Sequence, residues 1–332
     1  MLTDNFLRKH NYLRVSITDK CNLRCKYCMP PEGVVLLTHN EILRNEEFVE
    51  LIKVFVEMGI DKIRFTGGEP LLRKNFMDII SNTRKLFPHV KLALTSNGIL
   101  LGKYLEDLRS LKVNKINISL DTLSRGRYET LTGRDSFNEV LENIDSALDM
   151  DCFNIKINTV LFEETLDEID DFLEYIKDRD LILRFIEKMP FTDETDSLKF
   201  IPAKKLIETF ETRGKLKRNE SIDTNVALMY RFIYKEKYNL KIGIIPPMTH
   251  KFCSSCNRLR LTSDGHLKTC LHSSDEHDLK TPMRNGIGLD KLKEIIRDAI
   301  DSKHEGHNLD CYSHDGGCVK LNGTRVMSKI GG

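Results

Sequence analysis

Residues 13–28 read LRVSITDKCNLRCKYC, in which a run of strand-forming residues leads directly into a loop with three cysteines. Residues 62–70 follow the same pattern as KIRFTGGEP, where a second strand-like run ends in two glycines. In β/α proteins, functional groups lie at the carboxyl ends of the parallel strands. The two segments therefore predict a functional site just after the first two strands of a β/α repeat.

Short apolar segments alternate with segments of helical periodicity through the first part of the chain. The predicted strands are 13–18, 62–66, 91–95, 115–120, 154–161 and 181–186. Between them, apolar residues recur every three or four positions, as at 137–148 and 169–176. Such alternation gives parallel strands joined by right-handed crossovers. We predict an α/β fold with a partial (β/α)6 TIM-type barrel, and a six-stranded doubly wound sheet is the alternative.

The pattern changes near residue 190 to acidic loop sequence and then to shorter elements. These are a helix around 206–210, strand-like runs at 228–234 and 240–245, a hairpin of 258–262 and 266–269, and a helix at 289–300. Ser263-Asp264-Gly265 supplies the hairpin turn. We predict two domains, 1–190 and 191–332, the second being a smaller C-terminal α+β extension.

The charge balance and the apolar pattern exclude several classes of protein. The chain has 332 residues and a net charge of +1, so it has no global basic field for nucleic acid. No apolar run approaches the roughly 20 residues of a membrane span. The first ten residues lack the apolar core of a signal peptide. We therefore expect a cytoplasmic protein that binds neither nucleic acid nor membranes.

The first cysteine group, Cys21, Cys25 and Cys28, has the spacing of a metal-binding loop. Soft thiolates select zinc, Cu(I) or iron–sulfur clusters. A structural zinc ion needs four protein ligands, and His39 is the nearest candidate for a fourth. A cubane held by three cysteines instead leaves one iron open to a small ligand. The count of three thiols favours the cluster.

The second group consists of Cys253, Cys256 and Cys270, and the predicted hairpin returns the third cysteine to the first two. His266 or His272 could complete a Cys₃His zinc site, which is the more common answer for such an element alone.

The segment between these cysteines favours a cluster beside an anionic ligand. Alternation along 258–262 places Arg258 and Arg260 on one face, away from Leu259 and Leu261. Two arginines beside an incompletely coordinated cluster indicate a clamp for a phosphate or a base.

The CxxxCxxC loop and the Gly67-Gly68-Glu69-Pro70 motif together resemble the radical S-adenosylmethionine (SAM) superfamily. In that superfamily, a [4Fe–4S] cluster offers its open iron to the amino and carboxylate groups of SAM. Glycines let the strand edge approach the ligand without an intervening Cβ. We expect the Glu69 carboxylate to face the SAM ammonium.

The complete set of motifs, over about residues 11–332, is similar to that of the GTP 3′,8-cyclase family. The motifs are CxYC followed by Met29-Pro30, Arg64 before TGGEP, TSNG at 95–98, NISLD at 117–121, CxxC…NRLRLTxDG…C over 253–270, and the terminal Gly331-Gly332. In that family the double-glycine tail reaches back into the active site.

The resemblance implies roles for individual residues. The two [4Fe–4S] clusters would be held by Cys21, Cys25 and Cys28 and by Cys253, Cys256 and Cys270. The SAM contacts would be Tyr27, Gly68, Ser119 and Met189. The GTP contacts would be Arg14, Arg64, Thr95, Lys156, Arg258, Leu259 and Arg260. Convergent cations are what a nucleoside triphosphate requires, since it carries about four negative charges.

The resemblance also implies a reaction. An external one-electron donor reduces the first cluster, and SAM is split into methionine and a 5′-deoxyadenosyl radical. The radical removes the ribose 3′-hydrogen of GTP, and the ribose carbon attacks C8 of guanine. The product, (8S)-3′,8-cyclo-7,8-dihydroguanosine 5′-triphosphate, begins molybdopterin synthesis and passes to a cyclic pyranopterin monophosphate synthase. A homodimer is an allowed oligomeric state.

Some residues lie outside this pattern. Cys152, Cys311 and Cys318, with His304, His307 and His314, indicate either a zinc site or a polar tail with incidental cysteines. Two other classes also remain open: a radical SAM peptide maturase with an auxiliary cluster, and a zinc-binding interaction protein.

Overall fold

The computed structural model describes residues 1–29, 32–190, 199–220, 226–307 and 325–331. Pro30, the 192–198 and 221–224 parts of the motif-free segment, Cys311, His314, Cys318 and Gly332 lie outside these ranges.

The described chain contains the following elements. The strands are β1 (Leu2–Thr3), β2 (Lys9–His10), β3 (Tyr12–Ser16), β4 (Lys62–Thr66), β5 (Lys91–Ser96), β6 (Lys115–Ser119), β7 (Asn154–Leu161), β8 (Ile182–Glu187), β9 (Gly214–Arg218), β10 (Leu228–Tyr234), β11 (Tyr238–Ile245), β12 (Arg258–Leu261), β13 (His266–Lys268) and β14 (His277–Asp278). The helices are α1 (Asn45–Glu57), α2 (Phe76–Leu86), α3 (Leu105–Ser110), α4 (Arg125–Thr132), α5 (Phe137–Asp149), α6 (Glu163–Asp167), α7 (Ile169–Ile176), α8 (Ala203–Glu211), α9 (Lys280–Arg284), α10 (Leu289–Asp301) and α11 (Met327–Ile330).

The large sheet follows the chain from β3 to β8 in sequence order, and each strand is parallel to the next. This order has no reversal, whereas a doubly wound sheet reverses direction at a switch point. The sheet is therefore wound in one direction around a barrel axis. The prediction of a partial barrel is confirmed, and the doubly wound alternative is wrong.

Two strands of the C-terminal region extend this sheet at its two edges. β12 pairs with β3, and β11 pairs with β8, both in parallel. The six predicted barrel strands thus become eight neighbouring parallel strands, and the described strands form an open sheet. The antiparallel strands β13–β14 and β10–β9 continue it beyond β12 and β11. Strands of the predicted extension consequently line the same interior as the barrel strands.

The alternation within each strand separates the core from the interior of the barrel. On β3, Leu13 and Val15 are fully buried beneath the surrounding helices, while Arg14 and Ser16 occupy the opposite face. The helices bury a matching stripe, as in α5 with Val140 and Ile144. This pattern leaves the interior of the barrel to polar and cationic side chains. Among the described residues, no helix is long and apolar enough to cross a membrane.

Candidate functional site

The loop with the first three cysteines follows β3 and is fixed on both sides. Cys28 and Met29 both donate their backbone N–H to the carbonyl of Cys25, with N···O distances of 3.0 Å. The Arg24 N–H donates to the carbonyl of Thr132 at 2.7 Å, which anchors the loop on the end of α4. The loop therefore lies at the carboxyl end of the barrel strands.

The three thiols lie in surroundings where bound iron would stabilise their thiolate forms. Burial raises the pKa of Cys25 well above its ordinary value, and the thiols of Cys28 and Cys21 add to the shift. Burial, Cys21 and Asp121 raise the pKa of Cys28 to about 12. The three thiols therefore lie near one another, in an environment where burial disfavours their thiolate forms. Iron would supply a compensating positive charge, so the donor set fits a three-cysteine [4Fe–4S] cluster.

The Glu69 carboxylate is buried and accepts hydrogen bonds within the protein, and its contact with the SAM ammonium stays a prediction. One oxygen accepts from the Leu71 N–H and the Ser96 hydroxyl, both at 3.0 Å. The other accepts from the Asn97 N–H at 2.7 Å. Burial raises the pKa of Glu69 to about 7 despite these hydrogen bonds. Glu69 ties the end of β4 to the end of β5.

Asn97 is a contact of the first cysteine group that the sequence analysis did not single out. Its side-chain amide nitrogen lies 3.9 Å from Cys21 Sγ and donates to Asn22 Oδ1 at 2.8 Å. Glu69 holds its backbone, as described above. The position of Asn97 just after the strand predicted at 91–95 was the signal that could have identified it.

Gly67 and Gly68 are required by backbone packing. A Cβ on Gly68 would lie 2.4 Å from the carbonyl oxygen of Lys20, and one on Gly67 would lie 2.5 Å from that of Thr18. These carbonyls belong to the segment that leads into the cysteine loop. The glycines thus let the end of β4 pack against the base of that loop, which differs from the expected role of exposing the strand edge to a ligand.

We expect Gly68→Ala to lower cluster binding at Cys21, Cys25 and Cys28 by at least about tenfold, because the new methyl group displaces the loop backbone. Iron and sulfide per chain after anaerobic reconstitution measure this loss. Gly126→Ala is the matched control, since a Cβ at Gly126 meets nothing within 4 Å. Full iron content in both variants would contradict the prediction.

Tyr27 is fixed through its hydroxyl, which donates to Asp121 Oδ2 at 2.7 Å. Asp121 follows β6, and its other oxygen accepts from the Val160 N–H at 2.8 Å. Burial raises the pKa of Asp121, and burial and the Asp121 charge together raise that of Tyr27. The pair joins the cysteine loop to the ends of β6 and β7.

The other residues predicted to contact SAM also lie at strand ends. Ser119 is the last residue of β6 and pairs with Asn158 of β7, and Met189 is half-buried two residues after β8. Gly68 follows β4. These residues and Tyr27 surround the same end of the barrel as the first cysteine group.

The residues predicted to contact GTP form a cationic surface inside the barrel. Strand register places Arg260, Arg14 and Arg64 side by side on β12, β3 and β4. Arg64 donates to the carbonyl of Leu94 and, at 3.3 Å, to the hydroxyl of Thr95. The Leu259 side chain differs because it is fully buried in the hydrophobic core. It therefore lies on the opposite face of β12 from Arg260.

Two further cations on this surface, Lys62 and Arg184, were missed by the sequence analysis. Burial lowers the pKa of Arg184, and so does the charge of Arg64. Arg184 donates to Asn158 Oδ1 at 2.6 Å. Burial lowers the pKa of Lys156 to about 8, with further contributions from Arg184, Arg64 and Lys62. The alternation of Lys62 with Arg64 on one strand was a usable signal, whereas Arg184 stood alone between apolar residues.

Tyr12 lies within this cluster of cations. Its hydroxyl accepts a hydrogen bond from Arg64 Nε at 2.7 Å, and Lys62 Nζ lies 4.1 Å from its ring centroid. Burial alone would raise the pKa of Tyr12, but Arg64, Arg14 and Lys62 lower it to about 7. The shift shows how strongly positive the interior is, although the whole chain carries only +1.

The second cysteine group is assembled by the β12–β13 hairpin. Gly265 makes the turn with φ +85°, a conformation that favours glycine. Cys253 and Cys256 lie just before β12, and Cys270 follows β13. Burial alone would raise the pKa of Cys256, but Lys303 and Arg258 lower it. Cys256 and Cys270 also influence the pKa of buried Arg260, so both thiols lie near the cationic surface.

The C-terminal segment 325–331 lies between the two cysteine groups. The Ser328 backbone N–H lies close enough to the Cys28 thiol to lower its pKa, while Arg260 Nη1 donates to the carbonyl of Gly331 at 2.5 Å. A Cβ on Gly331 would lie 2.7 Å from the Thr66 side chain and 3.0 Å from that of Ser16. One short segment therefore contacts the first cysteine group and the arginine beside the second.

The histidines considered as zinc ligands have other neighbours. His266 lies 3.3 Å from Asp264, and the ring centroids of His272 and His307 are 4.8 Å apart. Among the described residues, no three His, Cys, Asp or Glu side chains converge as ligands of a single ion. A cubane does not need such convergence, because each thiolate binds a different iron. Cys152 is exposed, and His304 lies 3.3 Å from Asp275.

Comparison with known proteins agrees with this geometry. Residues 15–176 match the Radical SAM superfamily, and residues 181–309 match Molybdenum Cofactor Synthesis C. The crystal structure of Streptococcus suis SuiB bound to S-adenosylmethionine superposes with a TM-score of 0.62 at 16% identity, covering 88% of this chain and 69% of that one. Fold and site therefore define a radical SAM protein, whose class binds SAM and a [4Fe–4S] cluster.

Two curated relatives narrow the assignment. A GTP 3′,8-cyclase of Peptoclostridium acidaminophilum is 42% identical over 100% of this chain and 98% of its own length. Molybdenum cofactor biosynthesis protein 1 of Dictyostelium discoideum is 42% identical over 92% of this chain, which spans 49% of that longer protein. The chain belongs to the GTP 3′,8-cyclase family of radical SAM enzymes. The resemblance stated from the sequence motifs is confirmed.

Proposed function

We propose that the barrel interior converts GTP to (8S)-3′,8-cyclo-7,8-dihydroguanosine 5′-triphosphate, the first step of molybdenum cofactor biosynthesis. SAM binds at a cluster on Cys21, Cys25 and Cys28, and GTP binds between the cations and a second [4Fe–4S] cluster. The observation that carries the proposal is the segment 325–331, which contacts both Cys28 and Arg260. Through this segment, the first thiol group and the arginine beside the second are linked within the described chain.

Cys253, Cys256 and Cys270 hold the second cluster in this proposal. The thiol chemistry fits because Lys303 and Arg258 favour the thiolate form of Cys256, which is the form that binds iron. Met189, Ser119, Gly68 and Tyr27 surround SAM. When bound, SAM and the first cluster supply the one-electron chemistry that generates a 5′-deoxyadenosyl radical.

The cationic surface binds the triphosphate. Arg14, Arg64 and Arg260 lie side by side, with Lys156 and Arg258 also facing the interior and Thr95 beside Arg64. Grouped cations repel one another, and a ligand with about four negative charges relieves that repulsion. The fixed guanidinium groups orient the ribose toward SAM, and the burial of the barrel interior limits the access of water to a reactive radical. Leu259 contributes to GTP binding indirectly, because it packs in the core and so holds β12 in place.

The remaining partners are inferred from the reaction. An external one-electron donor supplies the reducing equivalent, and a cyclic pyranopterin monophosphate synthase consumes the product. We propose a cytoplasmic location and allow a homodimer. The division into a barrel, 1–190, and a cluster- and substrate-binding region, 191–332, stays a prediction, with strands from both contributing to one sheet.

The decisive experiment is anaerobic incubation of the full chain with GTP, SAM and a strong reductant. We expect 5′-deoxyadenosine and a cyclised guanosine triphosphate in matched amounts, detected by mass spectrometry, and about eight irons per chain. Omitting GTP is the control, since the cyclised product then has no source. Deoxyadenosine without a cyclised nucleotide would overturn the assignment of GTP as the substrate.

The pKa of Lys156 predicts a pH dependence of GTP binding. With a pKa of about 8, Lys156 loses its positive charge between pH 7 and 9.5 when no ligand is present, and the affinity for GTP should fall by about tenfold. The phosphates raise this pKa on binding, so binding takes up a proton near pH 8. Calorimetry in buffers of different ionisation enthalpy measures the uptake. Lys156→Met should lower the uptake, with Tyr12, whose pKa is about 7, supplying the remainder, and an unchanged uptake in that variant would contradict the assignment.

A further inference from the structure

Lys303 is a buried lysine that touches neither GTP nor SAM in the proposed reaction. It follows α10 and is 4% exposed. Its Nζ lies 3.8 Å from Cys256 Sγ and 3.2 Å from the carbonyl of Arg258. Among the ion pairs of the described residues, Lys303 has no carboxylate partner. A buried ammonium group is costly unless an anion compensates it.

Arg8, the neighbouring cation, is neutralised by a carboxylate, whereas Lys303 has no such ion pair among the described residues. Arg8 pairs with Asp4 at 2.6 Å, and the same carboxylate lies 3.0 Å from His10 Nε2. Arg8 also donates to the carbonyls of Cys253, His304 and Glu305, at 3.0, 2.7 and 2.6 Å. These contacts fix the segment that carries Lys303 against the second cysteine group. Lys303 Nζ therefore contacts the Arg258 carbonyl and the Cys256 thiol, and among the anionic groups that act on its charge, Cys256 has the largest effect, ahead of Cys270 and Asp4.

We propose that Lys303 is a positioning residue of the second cluster, which donates a hydrogen bond to the Cys256 thiolate and raises the reduction potential of the cluster. This inference rests on the proposed second cluster. A three-thiolate [4Fe–4S]²⁺ centre has a net charge of −1, and one-electron reduction makes it −2. A fixed positive charge stabilises the reduced form more, and hydrogen bonds to sulfur act in the same direction.

The test uses the full chain with Cys21, Cys25 and Cys28 changed to serine, so that only the second group can bind iron. In this background, Lys303→Met should lower the ratio of reduced to oxidised cluster about tenfold at a fixed potential. For one electron this equals a potential about 59 mV more negative. Titration under electron paramagnetic resonance measures the shift, and the electron comes from the chemical titrant. Lys303→Arg keeps the charge and should restore most of the potential.

Lys293→Met, on the helix that precedes Lys303, is the control, because Lys293 pairs with Glu57 at 2.9 Å. It should leave the potential unchanged. SAM binding by Lys303→Met in the unmodified chain reports whether the variant folds. If the serine background binds about four irons and Lys303→Met leaves the potential unchanged, the role of Lys303 is wrong. If that background binds no iron, the proposed second cluster fails, independently of Lys303.

Discussion

A Cys270→Ser chain is expected to keep the first cluster and SAM binding but to lose GTP cyclisation by at least about a thousandfold. Cys270 follows β13, on the far side of the hairpin from the barrel strands that carry SAM. Its loss leaves two thiols for the proposed second cluster, too few to hold a cubane with one open iron. Without that cluster the guanine has no fixed orientation, and orientation accounts for several powers of ten in rate.

Three measurements check this expectation together. Iron should fall from about eight to about four per chain, SAM affinity should stay within about twofold, and cyclised product should disappear. Cys152→Ser is the control, because Cys152 is exposed and belongs to neither group. Cyclisation by Cys270→Ser at the rate of the unmodified chain would refute a substrate role for the second group.

The sequence predicted best those elements whose structure depends on a local pattern of residues. The strands 62–66 and 154–161 have the predicted bounds, and in 154–161 the alternating burial matches the alternating polarity of the sequence. The three-thiol loop and the hairpin of 258–269 could also be predicted, because their spacing limits the chemistry locally. By contrast, β9, Gly214–Arg218, was missed because its sequence is polar and largely exposed.

The remaining features depend on pairing between distant segments. Nothing local indicates that β12 pairs with β3, yet this register places Arg260 beside Arg14. Lys303 likewise has the sequence context of a surface lysine after a helix, and only the tertiary fold buries it against Cys256. The hydrogen bond from Ser96 to Glu69 could not be predicted for the same reason, because Ser96 belongs to the end of another strand.

Arg260→Met is expected to weaken GTP binding by about a hundredfold without lowering the melting temperature of the ligand-free chain. Arg260 is 6% exposed, and burial and the charges of Arg14 and Arg258 lower its pKa. A guanidinium nevertheless stays protonated in proteins. The ligand-free protein therefore contains like charges in a poorly solvated interior, and removing one relieves their repulsion. Losing a buried contact to phosphate costs about 3 kcal/mol, or roughly a hundredfold in Kd.

Anaerobic equilibrium dialysis gives the Kd for GTP, and a thermal melt with and without GTP gives the two temperatures. The stabilisation by GTP should largely vanish, because a ligand stabilises only in proportion to its binding. Arg125→Met is the control, since Arg125 is an exposed residue paired with Asp135 at 2.6 Å. Arg260 also holds the carbonyl of Gly331, so kcat should fall along with affinity if segment 325–331 helps to orient GTP. If the ligand-free variant melts well below the unmodified chain, Arg260 has a structural role. Relief of charge repulsion alone would not lower the melting temperature.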